Sequence, residues 1–379
     1  MFSGWKCRSL LIAPFAVVVM PCPGIAQYRV YWGDVHVHTN LSDGKGDLDE
    51  VLTYARDVSG LDFVILTDHD FGNGWPWRMS QEAWQRIQDK VDAYTVPGKF
   101  VAIAGYEWTS QPKYWSEFVG DEPSERLFPG PPMFYNHKNV YFPSRVDYLF
   151  SAKDVAYMTP DLLAQAVRRE GGLIHNNHPS ADQEGRDQFD YDPSCYSVIV
   201  NTEMGADTVR YGEKTYRLDW ERVVRRFLNS GGRTGFVKGT DTHEGRPAAR
   251  TAVLARRLTR AAIFEALRHR RNYAASNARI VLDFRIDGHY MGEEVQAKGK
   301  PRITVAVKGT DQIEEVAIVR NGSILRALRP GKNRGKFAFV DHSFAGSSYY
   351  YVRVTQVDTD EYGNPSYAWS SPIWVNKEP

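Results

Sequence analysis

The sequence is poor in cysteine, in long apolar runs and in stretches of one charge sign. Three cysteines in 379 residues are too few for a disulfide framework, and no CxxC pair is present for a zinc ribbon. Lysine and arginine (47) balance aspartate and glutamate (46) without a long basic run, so we expect no nucleic-acid partner. Hydrophobic residues make up 42% of the chain, which is typical of a globular protein and excludes a mostly disordered one.

Residues 1–26 have the three-part pattern of a secretory signal peptide. Two basic residues precede an apolar run over 10–20, and small residues at 24 and 26 suit a cleavage site. The apolar run is shorter than the about 20 residues that cross a bilayer, so we expect no stable membrane span after cleavage. The pattern predicts a periplasmic or secreted protein whose one remaining cysteine is Cys195. An uncleaved anchor or a wrongly assigned start of the chain is the alternative.

The middle of the chain alternates β-rich runs with amphipathic segments. The β-rich runs are Tyr31–His38, Phe63–Thr67, Phe100–Tyr106, Asn139–Phe142, Gly172–His175, Ser197–Asn201 and Gly235–Gly239. The segments with helical periodicity are Leu48–Val58, Glu82–Tyr94, Pro160–Arg169, Asp219–Leu228 and Arg260–Arg270. Alternation over about 240 residues predicts a parallel α/β domain, and this length suits a barrel.

From about residue 277 the helical periodicity is replaced by alternating strand patterns. Asp287-Gly288 and Asn321-Gly322 are dipeptides that favour hairpin turns. The pattern predicts a small antiparallel β-sandwich over 277–379. This region has no clustered histidines, cysteines or paired acids, so we expect it to support the first domain or attach it, with a sugar-binding module as the alternative.

Histidines and acids recur at the ends of the predicted strands. His36-Val37-His38 ends the first run, and residues two apart on a strand face the same way. Asp241-Thr242-His243 repeats this spacing after the seventh run. The other candidates at strand ends and turns are Asp43, His69, Glu107, His137 and His178. Because parallel strands of a barrel end on one face, we expect these groups to converge there.

The chemistry of these groups predicts a catalytic metal site. A single histidine near a strand end is more often a hydrogen-bonded structural residue, so the prediction depends on the coincidence of six histidines and three acids. Nitrogen and oxygen donors without sulfur suit two or three divalent ions of zinc, manganese or iron. Such ions polarise a substrate oxygen and generate hydroxide at neutral pH. The chain lacks GxSxG, Walker and GxGxxG motifs, which excludes the enzyme classes built on them.

The combined motifs resemble the PHP (polymerase and histidinol phosphatase) superfamily over roughly residues 30–276. The motifs are Gly33-Asp34-Val35-His36-Val37-His38-Thr39, Asp43-Gly44, Thr67-Asp68-His69, Gly105-Tyr106-Glu107, His178-Pro179 and Asp241-Thr242-His243. The resemblance implies a distorted (β/α)7 barrel over 27–276 with a trinuclear metal site. It assigns one ion to His36, His38, Glu107 and Asp241, a second to Asp43, His69 and His243, and a third to His137, His178 and a bridging Glu107.

The resemblance also implies the reaction. Most characterised members of the superfamily hydrolyse phosphoesters, so we expect an exported metal-dependent hydrolase that uses a metal-bound hydroxide on a small phosphoester. The exported branch also resembles hydrolases of carbamate esters, so a carboxyl- or carbamate-ester hydrolase is the alternative. A surface- or carbohydrate-binding protein on the same scaffold is the alternative outside enzymes.

Several residues beside the metal motifs are candidates for further roles. We expect Asp43 and Glu107 to act in catalysis through the ions, and Lys138 or Arg246 to meet a substrate oxyanion, because they are the basic residues nearest to the motifs. A solvated surface role is the alternative for both basic residues. The remaining polar neighbours are His175, expected to support a ligand, Asp68 and Asp70, either of which can orient an imidazole, and Glu203, without an assigned role.

Overall fold

The computed structural model describes residues 28–71, 79–110, 135–179, 188–206, 208–211, 214–217 and 219–377. The predicted signal peptide over 1–26 lies outside these residues. Within the described ranges, no helix is both long enough and apolar enough to cross a membrane.

The described part of the chain contains five α-helices, and each begins at a residue whose side chain accepts a hydrogen bond from the first turn. They are α1 (Leu48–Thr53), α2 (Gln81–Tyr94), α3 (Pro160–Arg169), α4 (Trp220–Asn229) and α5 (Arg260–Arg268). A π-helical turn over Tyr54–Val58 continues α1, and 3-10 turns occupy Val155–Tyr157 and Pro193–Ser197. The helices lie close to where the apolar periodicity predicts them.

The described residues also form 21 strands. The strands before the tail are β1 (Arg29–Asp34), β2 (Phe63–Leu66), β3 (Val101–Thr109), β4 (His137–Tyr141), β5 (Leu173–Asn176), β6 (Ile199–Glu203), β7 (Thr208–Tyr211), β8 (Lys214–Arg217), β9 (Gly235–Val237), β10 (Thr251–Ala255) and β11 (Asn272–Ala275). Those of the tail are β12 (Val281–Ile286), β13 (His289–Tyr290), β14 (Glu294–Ala297), β15 (Arg302–Lys308), β16 (Ile313–Arg320), β17 (Ser323–Leu328), β18 (Arg334–Val340), β19 (Ser348–Thr359), β20 (Pro365–Ser370) and β21 (Ile373–Lys377).

Fifteen of these strands belong to one mixed sheet. Strands β1, β2 and β3 pair in parallel, as do β5, β6 and β9. Strand β4 lies between β3 and β5 and runs antiparallel to both. On the other side of β1, the antiparallel strands β10 and β11 lead to β20, which carries the sheet into the tail. A separate antiparallel sheet has the order β13-β12-β15-β18, and β7 pairs with β8.

The predicted distorted (β/α)7 barrel followed by a separate small β-sandwich is therefore wrong. The described chain has a large mixed sheet and five α-helices, and its tail strands extend the sheet of the first half. The error has a physical cause: a hydrophobic run predicts that a strand exists but carries no information on its direction. Parallel pairing was inferred from strand–helix alternation, and β4 and β10 break that rule.

The tail and the first half share a hydrophobic core. Trp32 of β1 and Tyr273 of β11 belong to the same buried cluster as Phe284, Ile318 and Val352 of the tail strands. The tail is thus packed against the sheet that carries the candidate site, rather than joined to it by a linker.

Glu221 of α4 makes a second connection between the two halves, and we expect its replacement by glutamine to lower stability. Its carboxylate accepts hydrogen bonds from the Tyr351 hydroxyl (2.6 Å), the Arg353 guanidinium (3.0 Å) and the Trp369 indole (3.2 Å). A buried charge-assisted hydrogen bond is worth about 1.5–3 kcal/mol, so Glu221→Gln should lose about that much free energy of unfolding in urea titrations. Glu265→Gln, whose side chain is 60% exposed, is the control and should change little. An unchanged urea midpoint for Glu221→Gln would contradict the prediction.

Candidate metal centre

The predicted donors lie together at one edge of the large sheet. His36 and His38 follow β1, His69 follows β2, and Glu107 lies near the end of β3, bridged to His69 by backbone pairing. His137 is the first residue of β4 and pairs with Thr109, near the end of β3. Because β4 is antiparallel, its beginning lies at the edge where β3 and β5 end. The reversal of β4 thus brings His137 to the other donors.

Four residues, each with one donor atom, form what we call the His36 group: His36, His38, Glu107 and Asp241. The Nε2 atoms of His36 and His38 are 3.2 Å apart, and Asp241 Oδ1 lies 3.2 Å from each. Glu107 Oε2 lies 3.5 Å from His36 Nε2 and 3.3 Å from His38 Nε2. Ligands held tetrahedrally at about 2.1 Å from one ion are about 3.4 Å apart. The separations in the His36 group match that spacing.

The Asp43 group consists of Asp43, His69 and His243, joined by the second ring nitrogen of His38. Asp43 Oδ1 lies 3.3 Å from His243 Nε2 and 3.6 Å from His38 Nδ1, and its Oδ2 lies 3.7 Å from His69 Nε2. The turn that carries Asp43 is held beside His243 by a backbone hydrogen bond from Lys45 N to His243 O (2.8 Å).

The His137 group consists of His137, His178 and Glu107. Glu107 Oε1 lies 3.0 Å from His137 Nδ1 and 3.3 Å from His178 Nε2. Its other oxygen, Oε2, lies 3.0 Å from His69 Nδ1 and also faces the His36 group. Glu107 therefore presents one oxygen to each side, which is the arrangement of a bridging carboxylate.

The centre is closed below and open on one side. His36, His38 and Glu107 are buried, whereas the side chains of Asp43 and Asp241 are 35% and 37% exposed, respectively. Non-glycine residues with positive φ also concentrate here: Asn136 (59°), His178 (23°) and Asp241 (52°). Such conformations cost about 1–3 kcal/mol each and cluster at functional sites, where the surrounding structure holds them. The open side of the centre is thus lined by Asp43 and Asp241.

The electrostatics of the centre favour positive charge. Burial would raise the pKa of Glu107, but the imidazoles of His69, His137 and His36 outweigh it and hold the pKa well below its usual range. Burial would lower the pKa of His38, yet Asp241 and Glu107 raise it to about 10. Burial, together with repulsion from His38 and His137, lowers the pKa of His69 to about 3. The carboxylates thus stay ionised and favour protonation of the neighbouring imidazole of His38. A metal cation bound between these side chains can supply the same positive charge instead of the proton.

The structure therefore contains buried groups of histidine and acidic side chains that can hold a metal ion. All nine predicted ligands lie in or beside these groups. The donor set is nitrogen and oxygen without sulfur, and its spacing fits ligation in the His36 group.

Neither of the two predicted basic residues contacts a metal donor in the described part of the chain. Lys138 lies between His137 and Asn139 on β4, and neighbouring side chains of a strand point to opposite faces. The Lys138 side chain therefore points away from His137. Its ammonium donates hydrogen bonds to Asn176 Oδ1 (2.7 Å) and Gln188 O (2.9 Å). In this position the Lys138 ammonium does not face the donors of the centre. Arg246 is exposed, and its side chain makes no hydrogen bond or ion pair with the described residues of the centre.

Sequence reasoning gave no role to two residues that touch the donors. Glu203 ends β6 and lies 3.1 Å from His36 Nδ1, and Asn177 Nδ2 donates to Glu107 Oε1 (2.6 Å). Glu203 is the last residue of β6 and Glu107 lies near the end of β3, and that similar position was the available indication. His175 is buried beside Glu203, with Nε2 4.0 Å from Oε1.

The two aspartates beside His69 do not contact its ring. Asp68 accepts hydrogen bonds from Thr39 and Ser42, and Asp70 accepts them from Thr109 N, Ser151 and Ala152 N. The imidazole is instead contacted by the Thr109 hydroxyl, 2.8 Å from His69 Nδ1. Asp68 and Asp70 thus brace the loops around the centre.

Comparison with known proteins finds relatives without an assigned activity. A family model described as a protein of unknown function (DUF3604) matches residues 65–117, which include His69 and Glu107. An uncharacterized protein of Chlamydia trachomatis is 24% identical over 96% of this chain and 60% of the relative. One of Chlamydia muridarum is 24% identical over 92% of this chain and 58% of the relative. The chain thus spans about 60% of the length of these relatives.

Proposed function

We propose that this chain is a metal-dependent hydrolase that cleaves an ester bond of a small molecule, with phosphoesters as the preferred class. The observation that carries the proposal is the position of Glu107 between two groups of imidazoles, beside an opening lined by Asp43 and Asp241. Two or three divalent ions of zinc, manganese or iron suit this donor set. The motif resemblance to the PHP superfamily supports the same reaction.

Bound ions would polarise a substrate oxygen and lower the pKa of a water molecule. The chain's own residues set the geometry around them. Asn177 donates to Glu107 Oε1, which holds the carboxylate in its bridging orientation. The buried floor of His36 and His38 excludes water from below. Substrate and leaving group therefore use the open side near Asp43, Asp241 and His243.

One observation favours the carboxyl- or carbamate-ester hydrolase as a second candidate. A phosphoryl group spreads charge over several oxygens and is usually held by metals together with Arg or Lys. Lys138 points away from the centre, and the exposed Lys45 beside His243 pairs with Glu244 (2.8 Å). A neutral ester develops one oxyanion and needs fewer fixed positive charges.

A side-by-side substrate panel decides between these candidates. On zinc- or manganese-loaded protein we expect hydrolysis of an aryl phosphate that exceeds hydrolysis of an aryl ester, an aryl carbamate and a phosphodiester. Arg246→Ala should lower aryl phosphate turnover about tenfold with metal content unchanged, because one charge-assisted contact is worth about 1.5 kcal/mol. The control is Arg257→Ala, just beyond β10, at the opposite edge of the sheet.

Each other result of the panel has a definite meaning. Fast ester or carbamate hydrolysis with negligible phosphatase activity would show that the protein is a carboxyl- or carbamate-ester hydrolase instead. Full metal loading without hydrolysis of any compound would favour a binding protein.

A further inference from the structure

Glu203 is a buried carboxylate whose hydrogen-bond partners all belong to segments that carry donors of the centre. Oε1 lies 3.1 Å from His36 Nδ1 and accepts from Gly239 N (3.2 Å), and Oε2 accepts from His178 N (2.7 Å). The three partners follow β1, β9 and β5, respectively. In the described part of the chain, these are the hydrogen bonds of Glu203, and no Lys or Arg pairs with it.

The contact with His36 determines which ring nitrogen faces the His36 group. His36 Nε2 points to Glu107 and Asp241, whereas Nδ1 points to Glu203. A histidine that donates its second ring N–H to a carboxylate is held in one tautomer and one orientation, and its free nitrogen becomes a better donor to a metal. Glu203 therefore keeps the proton on Nδ1 and leaves the Nε2 lone pair directed into the centre.

The contact with His178 holds a strained backbone. His178 has a positive φ of 23°, which a residue with a side chain adopts only when its surroundings impose it. The hydrogen bond from its backbone N–H to Glu203 Oε2 is one of those constraints. His178 belongs to the His137 group, so one carboxylate bonds residues of two different groups.

The residue at position 239 shows independently how closely these segments are packed. A Cβ atom on Gly239 would clash with Cβ of His36 and come within 2.9 Å of Glu203 Oε1. Glycine therefore permits the segment after β9 to donate its backbone N–H to Glu203 beside the His36 ring.

His36, His175 and Glu203 also form a group that could hold an ion of its own. One contact argues against that use. The Asn139 amide lies 3.0 Å from His175 Nε2 and donates to it, which occupies the lone pair. The group is better explained as support beneath the centre.

We propose that Glu203 is a positioning residue that orients both His36 and His178. Metal binding in the His36 group and in the His137 group would then depend on the Glu203 carboxylate. The inference rests on the proposed metal-dependent function. It extends that function by assigning to β6 a role that sequence reasoning left open.

The test is the Zn²⁺ affinity of Glu203→Gln, measured by competition with a chromophoric chelator and without any substrate. Glutamine keeps the size of the side chain but replaces one oxygen by an amino group. In either orientation that group faces N–H donors, those of His36 and Gly239 on one side or that of His178 on the other. We expect the dissociation constant for Zn²⁺ to rise about 10- to 100-fold. Glu203→Asp keeps the charge with a shorter reach, so its affinity should lie between those of glutamine and wild type.

Glu221→Gln is the matched control, because Glu221 is also buried and hydrogen-bonded but contacts tail strands instead of the centre. It should lower stability and leave Zn²⁺ affinity unchanged, which separates positioning from a general loss of stability. Wild-type Zn²⁺ affinity in Glu203→Gln would overturn the inference. If that variant does not fold, Glu203→Asp decides: weakened binding supports the inference, and wild-type binding overturns it. Failure of the wild-type protein to bind Zn²⁺ would instead overturn the proposed function.

Discussion

Glu107→Gln is expected to abolish hydrolysis, with turnover reduced at least about a thousandfold, which corresponds to about 4 kcal/mol of barrier. The reason is the bridging position of the carboxylate. Oε2 faces His36, His38 and His69, and Oε1 faces His137 and His178, so one substitution removes a charged donor from two groups. The effect should exceed that of losing any donor that serves one group.

Metal analysis of the purified variant and kinetics on an aryl phosphate measure this effect. We expect Glu107→Gln to bind at least one ion fewer per chain than wild type. Glu221→Gln serves as the control for removal of a buried carboxylate elsewhere, and it should keep its metal content. A Glu107→Gln protein with full metal content and turnover within tenfold of wild type would show that Glu107 is not a bridging ligand.

Removal of metal by a chelator should lower the melting temperature by about 10 °C. An ion present at about a thousand times its dissociation constant stabilises the folded state by about 4 kcal/mol, and each kcal/mol shifts the melting temperature of a chain of this size by a few degrees. The physical source is the centre itself, where His36, His38 and Glu107 are buried with their donor atoms directed at one another. Without ions these groups must be compensated by protons alone.

Differential scanning fluorimetry with EDTA, followed by addition of Zn²⁺ or Mn²⁺, tests this prediction. The melting temperature should fall with the chelator and recover with the metal. Glu107→Gln should show a much smaller shift, which excludes an effect of the chelator on the rest of the protein. Equal melting temperatures with and without metal in the wild-type protein would contradict a metal centre.

The positions of individual elements could be predicted because their causes are local. Helix α3 spans Pro160–Arg169, as its apolar periodicity and its proline at the first position predict, and Thr159 caps it. The donors were found for the same reason. HxH after β1 and DxH after β9 are short motifs, so their two-residue spacing is visible in the sequence whatever the rest of the fold does.

The arrangement of those elements could not be predicted in the same way. The (β/α)7 barrel was wrong because strand direction depends on partners far away in the sequence. Strand β4 runs against both β3 and β5, and β20 of the tail pairs with β11 of the first half. The direction of a single side chain, that of Lys138, was equally unpredictable from the sequence. Its neighbour His137 faces the donors, and the alternation of the strand turns the ammonium towards Asn176.

The sequence by itself determined which donor atoms the candidate metal centre contains. Six histidines and three acids without sulfur define a site for hard or borderline metal ions, because ligand preference is a property of the side chains. Only the tertiary structure decided which of these donors lie together in each group and which residues support them. The reversal of β4 brings the His137 ring within 3.0 Å of Glu107 Oε1, and the end of β6 places Glu203 3.1 Å from His36 Nδ1. Both contacts join residues at least 30 positions apart in the chain, so they exist only when strands from different parts of the sequence meet at one edge.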